Sequence, residues 1–170
     1  MRLMFLAVRR FEGKDGAVRG GILVTDNETF PLEFRCTERV VPSAVHRILY
    51  GRALQRHLLS NVLGVPLLTS CRTPANLVLC DELEFLFARP SVNIPMLWVC
   101  SKDQPFTQPA SEECCSVEFH NGQVVLRWHR RFGDDRAAAE KLAKIIECDI
   151  VEPFDRIRAA LDVVEREGKI

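Results

Sequence analysis

Cys114, Glu118 and His129 flank an Asn121-Gly122 pair. Thiol, carboxylate and imidazole are the groups from which a nucleophilic enzyme builds its attacking group, orienting group and base. Asn-Gly is the favoured centre of a two-residue type I′ hairpin. It sets a register with Cys114 opposite His129, Ser116 opposite Arg127 and Glu118 opposite Val125 on one face. The other face then carries the pairs Phe119/Val124, Val117/Leu126 and Cys115/Trp128 and is wholly apolar. Side chains directly across a ladder can touch, so a Cys114–His129 pair is within reach. No strained turn or helix N-terminus lowers the pKa of that thiol, however. The simpler reading is that Cys114 borders a loop and His129 belongs to the basic run RWHRR at 127–131.

A second candidate is Asp81, directly after the apolar run ANLVLC. At the end of a strand it could serve as an acid or base. The commoner role of an aspartate after a strand is to cap a helix, here over 82–88, with Glu84 at the capping-box position. Asp26, in TDNET, reads as a turn former, because aspartate hydrogen-bonds backbone amides two residues ahead.

Charge supplies the third pattern. The net charge is zero, yet residues 39–80 contain no Asp or Glu and do contain Arg39, Arg47, Arg52, Arg56 and Arg72. Residues 134–170 hold ten acids and seven bases, so the molecule is dipolar. Arg47, Arg52, Arg56, Arg127, Arg130 and Arg131, interleaved with Tyr50 and Trp128, form a candidate surface for phosphates or an acidic protein. A zero net charge argues against a dedicated basic nucleic-acid-binding domain.

The elements that must position these groups follow from periodicity. Strands are predicted over 3–9, 21–25 and 30–36, with Phe30, Leu32 and Phe34 alternating toward a core and Pro31 marking an edge or bulge. Ser43 caps a helix over 44–50, and a second helix over 52–63 ends at Gly64 with Leu54, Leu58 and Val62 inward. The runs ANLVLC and IPMLWVC are continuously apolar, the pattern of parallel strands buried on both faces. Residues 101–113 read as a loop. Asp134 or Asp135 opens a helix to about 147, and Pro153 starts a last one whose core stripe is Phe154, Ile157, Leu161 and Val164.

Three antiparallel strands, then helix, strand, helix, strand resembles the ribonuclease H-like superfamily of nucleases and polynucleotide transferases, over about residues 3–101. The resemblance implies acids on the first strand, near the first helix and at the end of the fourth strand, because two divalent ions need several oxygen ligands. Only the last of these positions is acidic here, at Asp81.

Seven scattered cysteines without a C-x-x-C give neither a disulfide framework nor a zinc site. No apolar run is long enough for a membrane span. The expectation is a cytoplasmic, single-domain α/β or α+β protein over 1–170, with a mixed sheet and no metal or cofactor. Its expected role is a non-catalytic accessory subunit of a multiprotein complex, docking a protein or nucleic acid through the acid-free arginine surface. The alternatives are a small hydrolase or nuclease using Asp81 with Cys114, Glu118 and His129, and a structural oligomer subunit.

Overall fold

A computed structural model of the chain describes residues 1–13, 15–101, 114–119, 124–145 and 149–168, with backbone alone over 114–119. Strands β1 (Leu3–Arg10), β2 (Val18–Thr25), β3 (Pro31–Cys36), β4 (Leu77–Cys80), β5 (Met96–Ser101), β6 (Cys114–Phe119) and β7 (Val124–His129) form one sheet in the order β3-β2-β1-β4-β5-β7-β6. β1, β4 and β5 run parallel, and the remaining pairings are antiparallel. The sheet is therefore mixed, as expected.

Helices cover both faces, which explains the continuous apolar strands. Alternate residues of β1 divide between two cores. Met4, Leu6 and Val8 pack with Leu59, Leu63 and Leu67 of the first helical layer. Leu3, Phe5 and Ala7 pack on the opposite face with Leu142, Phe154, Ile157 and Leu161 of the C-terminal helices. Adjacent glycines in β2 let both layers approach the bare backbone. A Cβ on Gly20 would lie 2.9 Å from Leu67 Cδ1, and one on Gly21 would lie 2.6 Å from Ile157 Cγ2. Close packing, more than the turn before them, requires these glycines.

The first layer begins with α1 (Ala44–Tyr50), capped as expected by Ser43, whose Oγ accepts from the His46 amide at 3.1 Å. A 3₁₀ turn, Gly51–Ala53, leads into α2 (Leu54–His57), a π-helical stretch (Leu58–Gly64) and α3 (Val65–Ser70). The helical arm thus runs through Gly64 instead of ending there. Pro66 follows within this continuous arm and has no amide to donate back to the π turn. The wider π turn broadens the inward stripe: Leu58 is buried and Val62 packs half-buried on the core as read, Leu59 and Leu63 join them completely buried, and Leu54 is half-buried.

β3 departs from its expected pattern as well. It is an edge strand, so Pro31 sits where a missing amide costs nothing, beside a register shift at Val24/Thr25. Phe30 and Leu32 are 67% and 45% exposed, and only Phe34 of the three packs on the core. The Asp26 turn holds as read: Oδ1 accepts from the Glu28 and Phe30 amides, each at 2.9 Å.

After β4 the chain makes a 3₁₀ segment, Leu83–Ser91, in place of the predicted α-helix. Arg89 ties it to α4 (Gly133–Ile145), with Nε donating to Asp135 Oδ1 at 2.9 Å and Oδ2 at 3.2 Å. α5 (Glu152–Glu167) buries the four residues of its predicted stripe and ends at Gly168, φ 65°. The register of β6 against β7 is the one Asn121-Gly122 implies, Cys114↔His129 through Phe119↔Val124, and Trp128 is buried. That turn and most of the expected 101–113 loop lie outside the described residues. Among the described residues no helix is long and apolar enough to cross a membrane.

Candidate active site at the strand ends

β1, β4 and β5 end on the same side of the sheet, and in open sheets with parallel strands that rim is where ligands enter. Asp81 stands there. Its amide donates to Leu6 O at 3.2 Å and its carbonyl accepts from Trp98 Nε1 at 3.3 Å, fixing the backbone between β1 and β5. A cavity of about 420 Å³ opens beside it, lined by Asp81, Glu82, Ser101, Val124, Phe154 and Arg158 among others.

The carboxylate of Asp81 is only 6% exposed. Oδ2 accepts from Arg158 Nη2 at 2.6 Å, while the buried Oδ1 has no hydrogen-bond partner among the described residues. Burial pushes its pKa up to about 7; the Arg158 charge opposes that rise and neighbouring Glu82 adds to it. Arg158 is steadied by Asp155 at 2.8 Å, and Glu82 is engaged by Arg10 at 2.6 Å. The capping role considered for Asp81 is not seen. Glu82 occupies the N-cap of the 3₁₀ segment, and no side chain caps it.

The other candidates lie elsewhere. Val124 lines the cavity and His129 ends the same strand, about 16 Å away at ~3.3 Å per residue. Cys114 pairs with His129 at that far end, whereas Glu118 pairs with Val125 near the cavity. The side chains of Cys114 and Glu118 lie outside the described residues. Cys80 and Cys100, close to Asp81, are buried thiols whose pKa is raised by desolvation, so neither is an activated nucleophile.

The arginines do not form one free surface. Arg47 donates to the Asp15 carbonyl, Arg127 lies 5.2 Å from the Trp98 ring centroid, and Arg52, Arg130 and Arg131 are exposed. Arg56 lies 3.7 Å over Phe87, whose ring meets His129 at 6.4 Å, and His129 meets Phe132 at 5.7 Å. Arg56, Phe87, His129 and Phe132 thus make a half-exposed row of cations and aromatics. The sequence hinted at neither Phe87 nor Arg158. Arg158 lies 77 residues from Asp81, on an element read only for its apolar stripe.

The described residues do not fit a two-metal centre. β1 carries no acid, the stretch from Arg39 to Cys80 carries none, and the one partnered oxygen of Asp81 already holds a guanidinium. Among the described residues no three His, Cys, Asp or Glu side chains gather as a metal-binding group.

No family model and no curated protein sequence matches the chain. Solved structures do. Ciona intestinalis Endonuclease V, in complex with a 24mer DNA containing an inosine followed by a ribo-adenosine, has a TM-score of 0.51 and 10% identity, covering 96% of this chain and 87% of that one. A singly substituted form of that enzyme with a 23mer DNA gives a TM-score of 0.53, also at 10% identity, covering 96% and 86%. The chain accordingly shares its overall fold with Endonuclease V, over 96% of its length. The expectation of a non-catalytic accessory subunit is thereby corrected. The scaffold is shared with Endonuclease V solved on DNA, and a buried carboxylate, Asp81, lines the strand-end cavity.

Proposed function

We propose that the chain is a nucleic-acid-directed hydrolase, acting on a phosphodiester, in which Asp81 is the acid–base group and Arg158 its cationic companion. The observation that carries this reading is Asp81 itself, buried at the strand-end cavity with Oδ2 clamped and Oδ1 unpartnered. A carboxylate held near neutrality accepts a proton efficiently at physiological pH and can return it. The Asp81 carboxylate takes the proton of the attacking water as the water oxygen bonds to phosphorus. The leaving oxygen, on the far side of phosphorus, takes a proton from solvent as the old P–O bond breaks, and the Asp81 carboxyl gives its own proton back to solvent. Arg158 supplies positive charge beside the phosphoryl oxygens. The arginine–aromatic row fits a nucleic-acid strand, since bases stack on aromatic faces while phosphates meet arginines.

The test is cleavage of end-labelled single- and double-stranded DNA, RNA and an inosine-containing duplex. The wild type is expected to cut at least one of them, and Asp81→Asn to lose at least ~100-fold in rate. An Asp81→Asn protein that cuts as fast as wild type, or a wild type that cuts none of the four, overturns the reading.

A further inference from the structure

α1 buries none of its seven residues against its own chain. A helix this short gains little from intrinsic propensity and normally owes its stability to packing. It is nonetheless well anchored: Ser43 caps it, Arg47 donates to the Asp15 carbonyl, the Gly51 amide donates to Arg47 O, and Tyr50 stacks on His57 at 4.3 Å. Val45, Ile48 and Leu49 are 61%, 80% and 75% exposed. The spacing i, i+3, i+4 puts the three on one face, a preformed aliphatic ridge with nothing over it.

The charges around the ridge indicate what covers it. Arg52 and Arg56 follow on the next turns, His46 and His57 flank Tyr50, and there is no acid from Arg39 to Cys80. The nearby Asp15 is already engaged by Arg39 at 2.7 Å. A second copy meeting this face about a two-fold axis would set arginines against arginines, which opposes association. Nucleic acid stacks on aromatic faces and gains little from Val, Ile and Leu. A helix with apolar residues on one side and carboxylates around them matches both the ridge and its rim. We propose that Val45, Ile48 and Leu49 of α1 form the docking surface for an acidic amphipathic helix of a partner protein. No residue of α1 lines the Asp81 cavity, so the ridge is separate from the catalytic group, although Arg56 is shared between its rim and the arginine–aromatic row.

The probe is a fluorescent designed helix of about 18 residues, with leucines on one face and glutamates elsewhere, compared by anisotropy with its lysine counterpart. The full chain is expected to bind the glutamate helix at least ~10-fold more tightly than the lysine one. The double change Ile48→Asp with Leu49→Asp, and the neutral pair Ile48→Gln with Leu49→Gln, should each weaken binding at least ~10-fold with melting temperature unchanged. Equal binding of the two helices, or undiminished binding by either variant, overturns the proposal. So does a marked drop in melting temperature of the neutral pair, which would make the ridge part of the fold. Self-association in sedimentation, or binding to anionic phosphatidylserine vesicles or to an oligonucleotide, that either variant abolishes would assign the ridge a different occupant.

Discussion

Asp135 and Asp81 are both buried, both face an arginine, and both have a carboxyl pKa raised first by desolvation. They differ in what their oxygens do. At Asp135 both oxygens receive Arg89 Nε, the guanidinium also donates to Val92 O at 2.9 Å, and the pair is closed off beneath the Phe132 ring at 4.4 Å. At Asp81 one oxygen is held and the other is left over, beside a cavity. Saturation makes the first pair a fastener between the 3₁₀ segment and α4. An incomplete partner set, which costs stability when buried, marks the second pair as something other than a fastener.

The comparison breaks most visibly in stability. Asp135→Ala leaves Arg89 charged and buried without its carboxylate, and breaking such a pair costs about 3–5 kcal/mol. Chemical denaturation should show a loss of that size. A loss below about 1 kcal/mol would mean the Arg89–Asp135 pair is no fastener.

Catalysis is the second place to press. Asp81→Asn keeps the shape of the site and removes its titrating group. The loss of at least ~100-fold in cleavage corresponds to about 2.7 kcal/mol of barrier. Asp135→Asn should leave the cleavage rate within about threefold of wild type at temperatures where it stays folded, so equal losses from the two changes would erase the distinction.

A third test uses pH. Asp81 has a folded-state pKa of about 7 against an ordinary 3.8. Between these values the unfolded chain releases a proton that the folded chain keeps. This group's contribution is therefore fully present at low pH and is lost as pH rises from about 4 to about 7. The slope is at most ~1.4 kcal/mol per pH unit. Glu33 runs the other way. The Thr73 amide at 2.7 Å, with Arg35 and the Arg72 amide, draws its pKa down to about 2, so its contribution is present above its ordinary 4.5 and lost as pH falls toward 2. Denaturation midpoints of Asp81→Asn should thus rise relative to wild type between pH 4 and 7, and those of Glu33→Gln should fall relative to wild type between pH 2 and 4.5. Parallel curves for wild type and Asp81→Asn would remove Asp81 from the set of perturbed groups.

These contrasts also mark what could be read from sequence. Periodicity located the strands and the α5 stripe because burial on a sheet face or helix stripe is a local, repeating demand. The Asn-Gly pair carried a whole register for the same reason. Leu58 is buried and Val62 packs on the core as read, but the π turn adds Leu59 and Leu63 as the fully buried positions, and nothing in LLSNVLG announces such a turn. Asp81 stood out through its position after a buried strand, yet its meaning depends on Arg158, 77 residues away. No local rule brings those two together, since a long-range ion pair has no period. Arg89 and Asp135, 46 residues apart, were invisible for the same cause.

The smallest expected effect belongs to an arginine with a different setting. Arg130 is exposed just beyond β7, next to the His129 and Phe132 end of the aromatic row, while Arg89 is 8% exposed and buried against its carboxylate. Arg130→Ala should cost less than about 0.5 kcal/mol in stability, as surface substitutions away from caps and pairs generally do. Its signature should appear in binding. If Arg130 meets a phosphate, the change weakens affinity for all oligonucleotide sequences alike. It also lowers the slope of log K against log salt by about one, because one counterion fewer is released. Titrations at four or five salt concentrations measure that slope directly. An unchanged slope would take Arg130 out of the nucleic-acid surface and leave Arg56, held on Phe87, as the cation on that row to test next.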